Sequence, residues 1–222
     1  KYLLKIIDTK NSIAIDVGAN IGNHAIFFSN YFHKVYSFEA HPEIFEILRF
    51  NTRNNKNINV FNIALFNKIE KMFIISDQIA NYGASHISKN FCPQSQQNAF
   101  ELETKVFSDI FPNLNIKKKI SFIKLDVEGV EQEVLQGFKN ILSVDSPIIC
   151  FEQHLKDFKD ENNKFTTKTI KFLREFDYDH FYEIDSSRNW KFVNETYSNY
   201  ISIFFKIFEM LFYGLPERRY KP

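Results

Sequence analysis

The sequence predicts an α/β fold, doubly wound around a mostly parallel sheet, and three features carry that prediction. The first is Ile13 to Gly22, Ile-Ala-Ile-Asp-Val-Gly-Ala-Asn-Ile-Gly, a short apolar run ending in a loop with glycines at 18 and 22. Apolar residues on both faces, rather than in alternation, mark a strand buried within a parallel sheet. The second is Val35-Tyr36-Ser37-Phe38-Glu39, a strand with a carboxylate at its end. That carboxylate stands roughly twenty residues past the glycine loop, the spacing at which an acid can accept both hydroxyls of a ribose. The third is the alternation of strand and helix patterns along the rest of the chain.

The bulk properties narrow the class. A chain of 222 residues suffices for one domain with a full core. A formal net charge of +1 gives no electrostatic case for nucleic acid as a partner. Cys92 and Cys150 lie far apart and offer neither metal-ligand spacing nor a disulfide framework, which fits a reducing cytoplasm. The sequence starts at Lys1 rather than Met, and no signal peptide is visible in it.

Taken in order, Lys1 to Asn11 reads as a helix or lead-in whose Leu3, Leu4, Ile6 and Ile7 cover the sheet edge. The first strand and glycine loop follow, then a helix from Asn23 to about Phe32. Lys34 to Glu39 is the second strand. His41-Pro42 opens a helix to about Asn54, because proline suits a first turn and Glu43 and Glu46 suit its positive end. Ile58 to Leu65 is the third strand. Lys68 to Ser76 and Phe100 to Val106 read as partner strands of an insertion spanning about 68–106. Between them, 77–100 lacks periodicity and is long for a compact domain, so it reads as a lid or substrate loop.

Phe107 to Leu114 is a short helix and Ile120 to Asp126 the fourth core strand. Val134, Leu135, Phe138, Ile141 and Leu142 give one buried face to a helix over Val130 to Leu142. Pro147 to Glu152 is the fifth strand, and Thr166 to Phe176 a helix after a charged loop. Asp179 to Ile184 and Trp190 to Val193 form a terminal antiparallel hairpin. An apolar stripe at helical spacing, Ile201, Phe204, Phe205, Phe208, Leu211, Phe212 and Leu215, predicts a C-terminal helix at about 197–215. That helix packs on the sheet or a subunit neighbour, or lies at a membrane surface with Arg218, Arg219 and Lys221 toward anionic lipid; the alternative to a helix is a truncated or mispaired seventh strand. It is too short and too interrupted by Lys206 and Glu209 to span a bilayer.

The loop itself selects a cofactor class. The dinucleotide fingerprint Gly-x-Gly-x-x-Gly is absent, since Asn20 and Asn23 stand where its second and third glycines belong. Asp16, just before Gly18, would crowd a pyrophosphate and suits a cofactor with an ammonium-bearing end.

Asp-x-Gly-x-Asn-x-Gly with the downstream Glu39 resembles the S-adenosylmethionine site of class I methyltransferases. Further text narrows the resemblance: Phe38-Glu39-Ala40-His41-Pro42, Asn62-Ile63-Ala64-Leu65, and Phe122 to Glu131 with its core Lys-Leu-Asp-Val-Glu-Gly-Val-Glu, then Leu135-Gln136-Gly137. Over about Ser12 to His154 the chain is similar to the FkbM family of methyltransferases. The resemblance implies a seven-stranded Rossmann-like methyltransferase sheet and S-adenosyl-L-methionine as cofactor. It also implies an O-methyltransferase acting on a hydroxyl of a sugar or related polar metabolite, in surface-glycan or natural-product biosynthesis.

Site residues follow from these readings. Asp16, Gly18, Asn20, Gly22, Asn23, His24 and Glu39 are expected around the cofactor, with Ala64 and Leu65 approaching the adenine through backbone, as the resemblance suggests. Asp16 could instead cap the glycine loop, and His24 could be a packing residue of the first turn. Asp126, Glu128 and His154 are the expected catalytic residues, because in-line methyl transfer to a hydroxyl also needs its proton removed. Asp126 and Glu128 lie on one side of an extended strand end, or else they cap the helix that follows. Glu152 and His154 repeat that spacing; Mg2+ is allowed beside these four groups but is not expected. The competing classes are methylation of a carboxylate or phosphate-derived oxygen, a nicotinamide-dependent oxidoreductase, and a non-catalytic cofactor-binding protein. The expected partners are a small-molecule or glycan acceptor, a homo-oligomeric copy and a peripheral membrane contact. The expected compartment is the cytoplasm, membrane-associated if the tail lies on lipid.

Overall fold

The computed structural model describes residues 7–76, 85–88, 99–152, 167–184, 190–192 and 201–205. Of the stretch read as a helix or lead-in, residues 1–6 lie outside the described residues, and a 3-10 turn, Thr9–Asn11, precedes β1 (Ile13–Val17). Then follow α1 (Asn23–Ser29), β2 (Lys34–Glu39), α2 (Pro42–Thr52), β3 (Ile58–Asn62), β4 (Ala64–Leu65), β5 (Lys71–Ser76), β6 (Ser85–Ser88) and β7 (Ala99–Lys105). The second half holds α3 (Phe107–Ile110), β8 (Ile120–Leu125), α4 (Glu131–Gln136), α5 (Lys139–Val144), β9 (Ile148–Phe151), α6 (Lys168–Arg174), β10 (His180–Ile184), β11 (Trp190–Phe192) and β12 (Ile201–Phe205).

The main sheet runs β11-β10-β12-β9-β8-β1-β2-β3. The five strands β9-β8-β1-β2-β3, with β3 at one edge, are all parallel. Both faces of β9, β8, β1 and β2 are covered, as a parallel sheet requires, whereas β3 at the edge is only partly buried. Ile13, Ile15, Val17, Ile123, Leu125 and Phe38 pack with α4, α5 and α6 on one side. Ala14, Val35, Phe122 and Cys150 pack with Ala25 and Phe28 of α1, and with Phe32 just after it, on the other. The sheet has eight strands rather than seven, and its far edge carries an antiparallel β10–β11 pair with Tyr182 opposite Phe192.

Four sequence expectations change. The third strand is broken at Ile63: β4 leaves the main sheet and pairs with β7 in a second sheet of order β4-β7-β5-β6. The predicted β5–β7 pairing is present and antiparallel, and β6 adds a strand inside the segment read as a loop. Residues 77–84 and 89–98 of that segment lie outside the described residues.

The helix expected over Val130 to Leu142 is two helices, α4 and α5. Gly137 breaks it because its backbone docks on a neighbouring loop. A Cβ there would stand 2.9 Å from the Phe66 carbonyl oxygen, and its own carbonyl accepts the Ser108 N–H at 3.1 Å. The break seats Phe138 flat on Phe107, with centroids 3.9 Å apart.

The fourth change is in the tail. Ile201–Phe205 is a strand, hydrogen-bonded in parallel between β9 and β10, so over these residues the strand alternative holds in place of the helix that the apolar stripe favoured. Ile-Ser-Ile-Phe-Phe combines β-branched and aromatic residues, so strand preference competes with the helical spacing and an open slot beside β9 decides. Residues 206–222, with the rest of the predicted helix, lie outside the described residues. Among the described residues no helix is long and apolar enough to cross a membrane.

Candidate active site at the carboxyl ends of the parallel strands

Chain order reverses between β1 and β8: β2 and β3 lie to one side, β8 and β9 to the other. The carboxyl ends of parallel strands at such a switch point form the crevice where this class of fold binds ligands. Asp16, Glu39, Asp126 and Glu152 all stand at or next to those ends.

The loop after β1 is shaped by its glycines and by Glu39. Gly18 has φ +72 and Gly22 has φ +95, the left-handed region that glycine enters without penalty. Gly18 also lies so close to the Asp126 carbonyl that a Cβ would overlap it, so the loop after β1 and the turn after β8 touch backbone to backbone. Asn20, with φ +49, is a residue type that tolerates this region, and its Oδ1 accepts the Ile21 N–H at 2.7 Å. Glu39 is buried. Its Oε2 accepts the Asn20 N–H and its Oε1 the His41 N–H, both at 2.8 Å. Gly18 and Ala19 N–H both donate to the Phe38 carbonyl, and Gly22 N–H to Ala19. Every N–H from Gly18 to Gly22 therefore has a protein acceptor, so this loop meets a ligand as a preformed surface more than as a set of free donors.

Beneath the loop a polar row crosses the sheet. Ser37, Asp16, Lys124 and Cys150 are successive register partners on β2, β1, β8 and β9. All four are buried, under α1. The Lys124 ammonium lies 3.3 Å from Asp16 Oδ1, 3.3 Å from Asp126 Oδ2 and 3.2 Å from the Gly18 carbonyl oxygen. Burial opposes its charge, but Asp16 and Asp126 outweigh that and hold the ammonium above the ordinary lysine range. Burial pushes the Asp16 carboxyl up, against the pull of Lys124. Asp16 has no exposed surface, so the cation nearest to it is one the protein itself supplies.

Asp126, Glu128 and Glu152 close the rim. Each offers a carboxylate oxygen, and these atoms lie within 4.8 Å of one another. Burial raises the Asp126 carboxyl, but the Lys124 charge and hydrogen bond bring it below its usual range. Glu152 moves the other way: burial, then the charges of Asp126 and Glu128, push it up to about 7, and it shares a hydrogen bond with Asp126. Glu128 has φ +55 and Gly129 φ +99, so the turn after β8 is left-handed for two residues. Glu131 caps that turn by accepting the Gly129 N–H at 3.1 Å. Three carboxylates at this spacing can attract a hard cation, but Lys124 and the Asp126–Glu152 proton already balance part of their charge from within.

The remaining expected residues fall into place around this centre. Asn23 and His24 begin α1. His24 is buried and stacked on Phe28 at 6.0 Å, and burial, reinforced by the Lys124 charge, pushes its imidazole down to about 3. Ala64 and Leu65 are buried in β4, and Asn62 holds the bend before them by donating to the Glu39 and Ala40 carbonyls at 2.8 and 3.1 Å. His41 is buried edge-on against Phe100 of β7 at 4.8 Å, joining the end of β2 to the second sheet. His154 lies outside the described residues. Sequence reasoning passed over Lys124, although a lysine inside Phe-Ile-Lys-Leu, in a strand apolar on both faces, signals a buried charge needing partners.

Comparison with known proteins places the chain. The family described as Methyltransferase FkbM domain matches residues 16–180. No curated protein matches the sequence. Among solved structures, a methyltransferase FkbM from Methylobacillus flagellatus KT is 18% identical, with a TM-score of 0.44, over 65% of this chain and 34% of that one. A Streptococcus mutans protein solved in complex with SAH is 19% identical, with a TM-score of 0.35, over 64% of this chain and 60% of that one. A precorrin-6Y C5,15-methyltransferase from Geobacter metallireducens GS-15 is 13% identical, with a TM-score of 0.41, over 83% and 75%. The chain thus spans about a third of the first of these and less than two thirds of the second.

Proposed function

Because this chain belongs to the methyltransferase FkbM family, we propose that it transfers a methyl group from S-adenosyl-L-methionine to a hydroxyl of a sugar or related polar metabolite. The observation that carries the choice of a hydroxyl is the Asp126–Glu152 carboxyl pair beside the glycine loop, with Glu152 lifted to about 7. A hydroxyl acceptor must lose a proton, and a group brought to titrate near neutrality is the most effective one to take it. A carboxylate or phosphate-derived acceptor has no such need.

The residues present fit the cofactor. Glu39 stands at the end of β2 with one N–H on each oxygen, which leaves each oxygen a second lone pair for a ribose hydroxyl. The glycine loop presents a fixed backbone surface next to it, and α1 starts directly after. Bound there, S-adenosylmethionine supplies an electrophilic methyl on a sulfonium sulfur. Glu39 orients the nucleoside end, the loop and α1 exclude water, and the Asp126–Glu152 pair faces the acceptor. Alignment of donor and acceptor can lower the barrier by roughly 7–11 kcal/mol, and a positioned base adds about 10²–10⁴-fold.

The test is to incubate the protein with S-adenosylmethionine and a panel of sugars, nucleotide sugars and carboxylic acids, and to measure S-adenosylhomocysteine release. Turnover confined to hydroxyl acceptors supports the proposal. Turnover confined to carboxylic or phosphate-bearing acids would assign the acceptor oxygen differently.

A further inference from the structure

Lys124 is the group at the site that the reaction as proposed does not yet use. It reaches the site from below, through the sheet, and is too deeply buried to meet an acceptor itself. Its ammonium joins three structures that must keep their places: β1 through Asp16, the glycine loop through the Gly18 carbonyl, and the rim through Asp126. Asp126 in turn is hydrogen-bonded to Glu152.

We propose that Lys124 is a positioning residue that pins Asp126 as a carboxylate and leaves Glu152 as the group that exchanges a proton with the acceptor. Two neighbouring carboxyls that share one proton do not by themselves decide which of them keeps it. A fixed cation 3.3 Å from one of them does, because the ionised form is favoured at the end nearer the charge. Among the described residues, the other titratable groups around Lys124 and this carboxyl pair do not reverse the choice. Burial keeps the His24 imidazole uncharged and the Cys150 thiol protonated, and Glu128 and Glu131 add negative charge on the Glu152 side. Asp16 accounts for part of the Lys124 charge on the far side from Glu152.

The step this assigns rests on the hydroxyl reading above. The acceptor O–H bond breaks and its proton passes to the Glu152 carboxylate. The oxygen electron pair forms the new O–CH3 bond as the methyl–sulfur bond breaks, and that bond's electron pair stays on sulfur, giving a neutral thioether. Glu152 then returns the proton to solvent.

The charge division can be measured without cofactor or acceptor, so its failure is distinct from failure of the acceptor assignment. Protein labelled with 13C at Asp and Glu carboxyls and 15N at Lys is titrated by NMR, with Asp126→Asn and Glu152→Gln giving the assignments. In the wild type only Glu152 should move in the step near neutrality, Asp126 should stay flat from pH 5 to 8, and the Lys124 ammonium should remain protonated above pH 10. In Lys124→Met combined with Asp16→Asn, which removes both buried charges together, Asp126 and Glu152 should move together in a step raised by about one to two pH units. A wild-type Asp126 that already follows the neutral step, or a double variant with an unmoved step, overturns the proposal. If the double variant does not fold, the wild-type titration decides alone.

Discussion

The Gly18 Cα points at the carbonyl oxygen of Asp126, so closely that no side chain fits between the loop after β1 and the turn after β8. Gly18→Ala must therefore both occupy φ +72 and separate two backbones. Strained backbone at such a position costs about 1–3 kcal/mol, and the overlap adds to it, so denaturant unfolding should show a loss of roughly 3 kcal/mol or more. Gly129→Ala is the control. It has φ +99 but no atom within 4 Å of its Cβ position, so it should lose only the strain, about 1 kcal/mol.

Glu39 holds Asn20 and His41 by their backbone N–H groups while facing the place proposed for the ribose. Glu39→Gln replaces one acceptor oxygen with a donor. Each hydrogen bond to a charged acceptor is worth roughly 1.5–3 kcal/mol, so S-adenosylhomocysteine affinity should fall about 10–100-fold. A variant that is less stable but binds as the wild type does would confine Glu39 to shaping the loop.

Glu152 gives the site a pH signature of known sign. Its folded carboxyl is raised from 4.5 to about 7, so between those values the folded state binds more protons than the unfolded state. This group therefore costs stability as pH rises through that window, and the cost is complete above about 7. Glu152→Gln should raise Tm at pH 8 and leave it nearly unchanged at pH 4. The opposite order would mean that Glu152 is held ionised in the native protein.

Thr167 caps α6, and its hydroxyl accepts the Ile170 N–H at 3.3 Å. Thr167→Ala should cost about 1 kcal/mol in denaturant unfolding and leave S-adenosylhomocysteine affinity unchanged. A change in affinity would tie α6 to the site.

The central parallel sheet was legible because its strands are apolar on both faces and end in marked residues: Asp16-Val-Gly, Glu39, Asp126 and Glu152. The glycine loop and Glu39 were legible as a pair, but their direct coupling through the Asn20 N–H was not, since a backbone donor leaves no mark in sequence. Asp16 drew attention as an acid, whereas its partner Lys124 did not, because pairing across a sheet depends on register that only the fold sets. The break at Gly137 was hidden for a similar reason: the helical periodicity continues through it, and only packing on Phe66 and Phe107 interrupts the helix. In the tail, helical spacing and strand-forming residue types coincide in Ile201 to Phe205, and the neighbouring strands settled the matter.

The most direct test of the account is a calorimetric titration of the purified protein with S-adenosylhomocysteine, with NAD as the control ligand. The account predicts saturable binding of S-adenosylhomocysteine in the micromolar range, weakened by Glu39→Gln, and no heat of binding with NAD. Binding of NAD without S-adenosylhomocysteine would contradict it, beginning with the reading of the glycine loop.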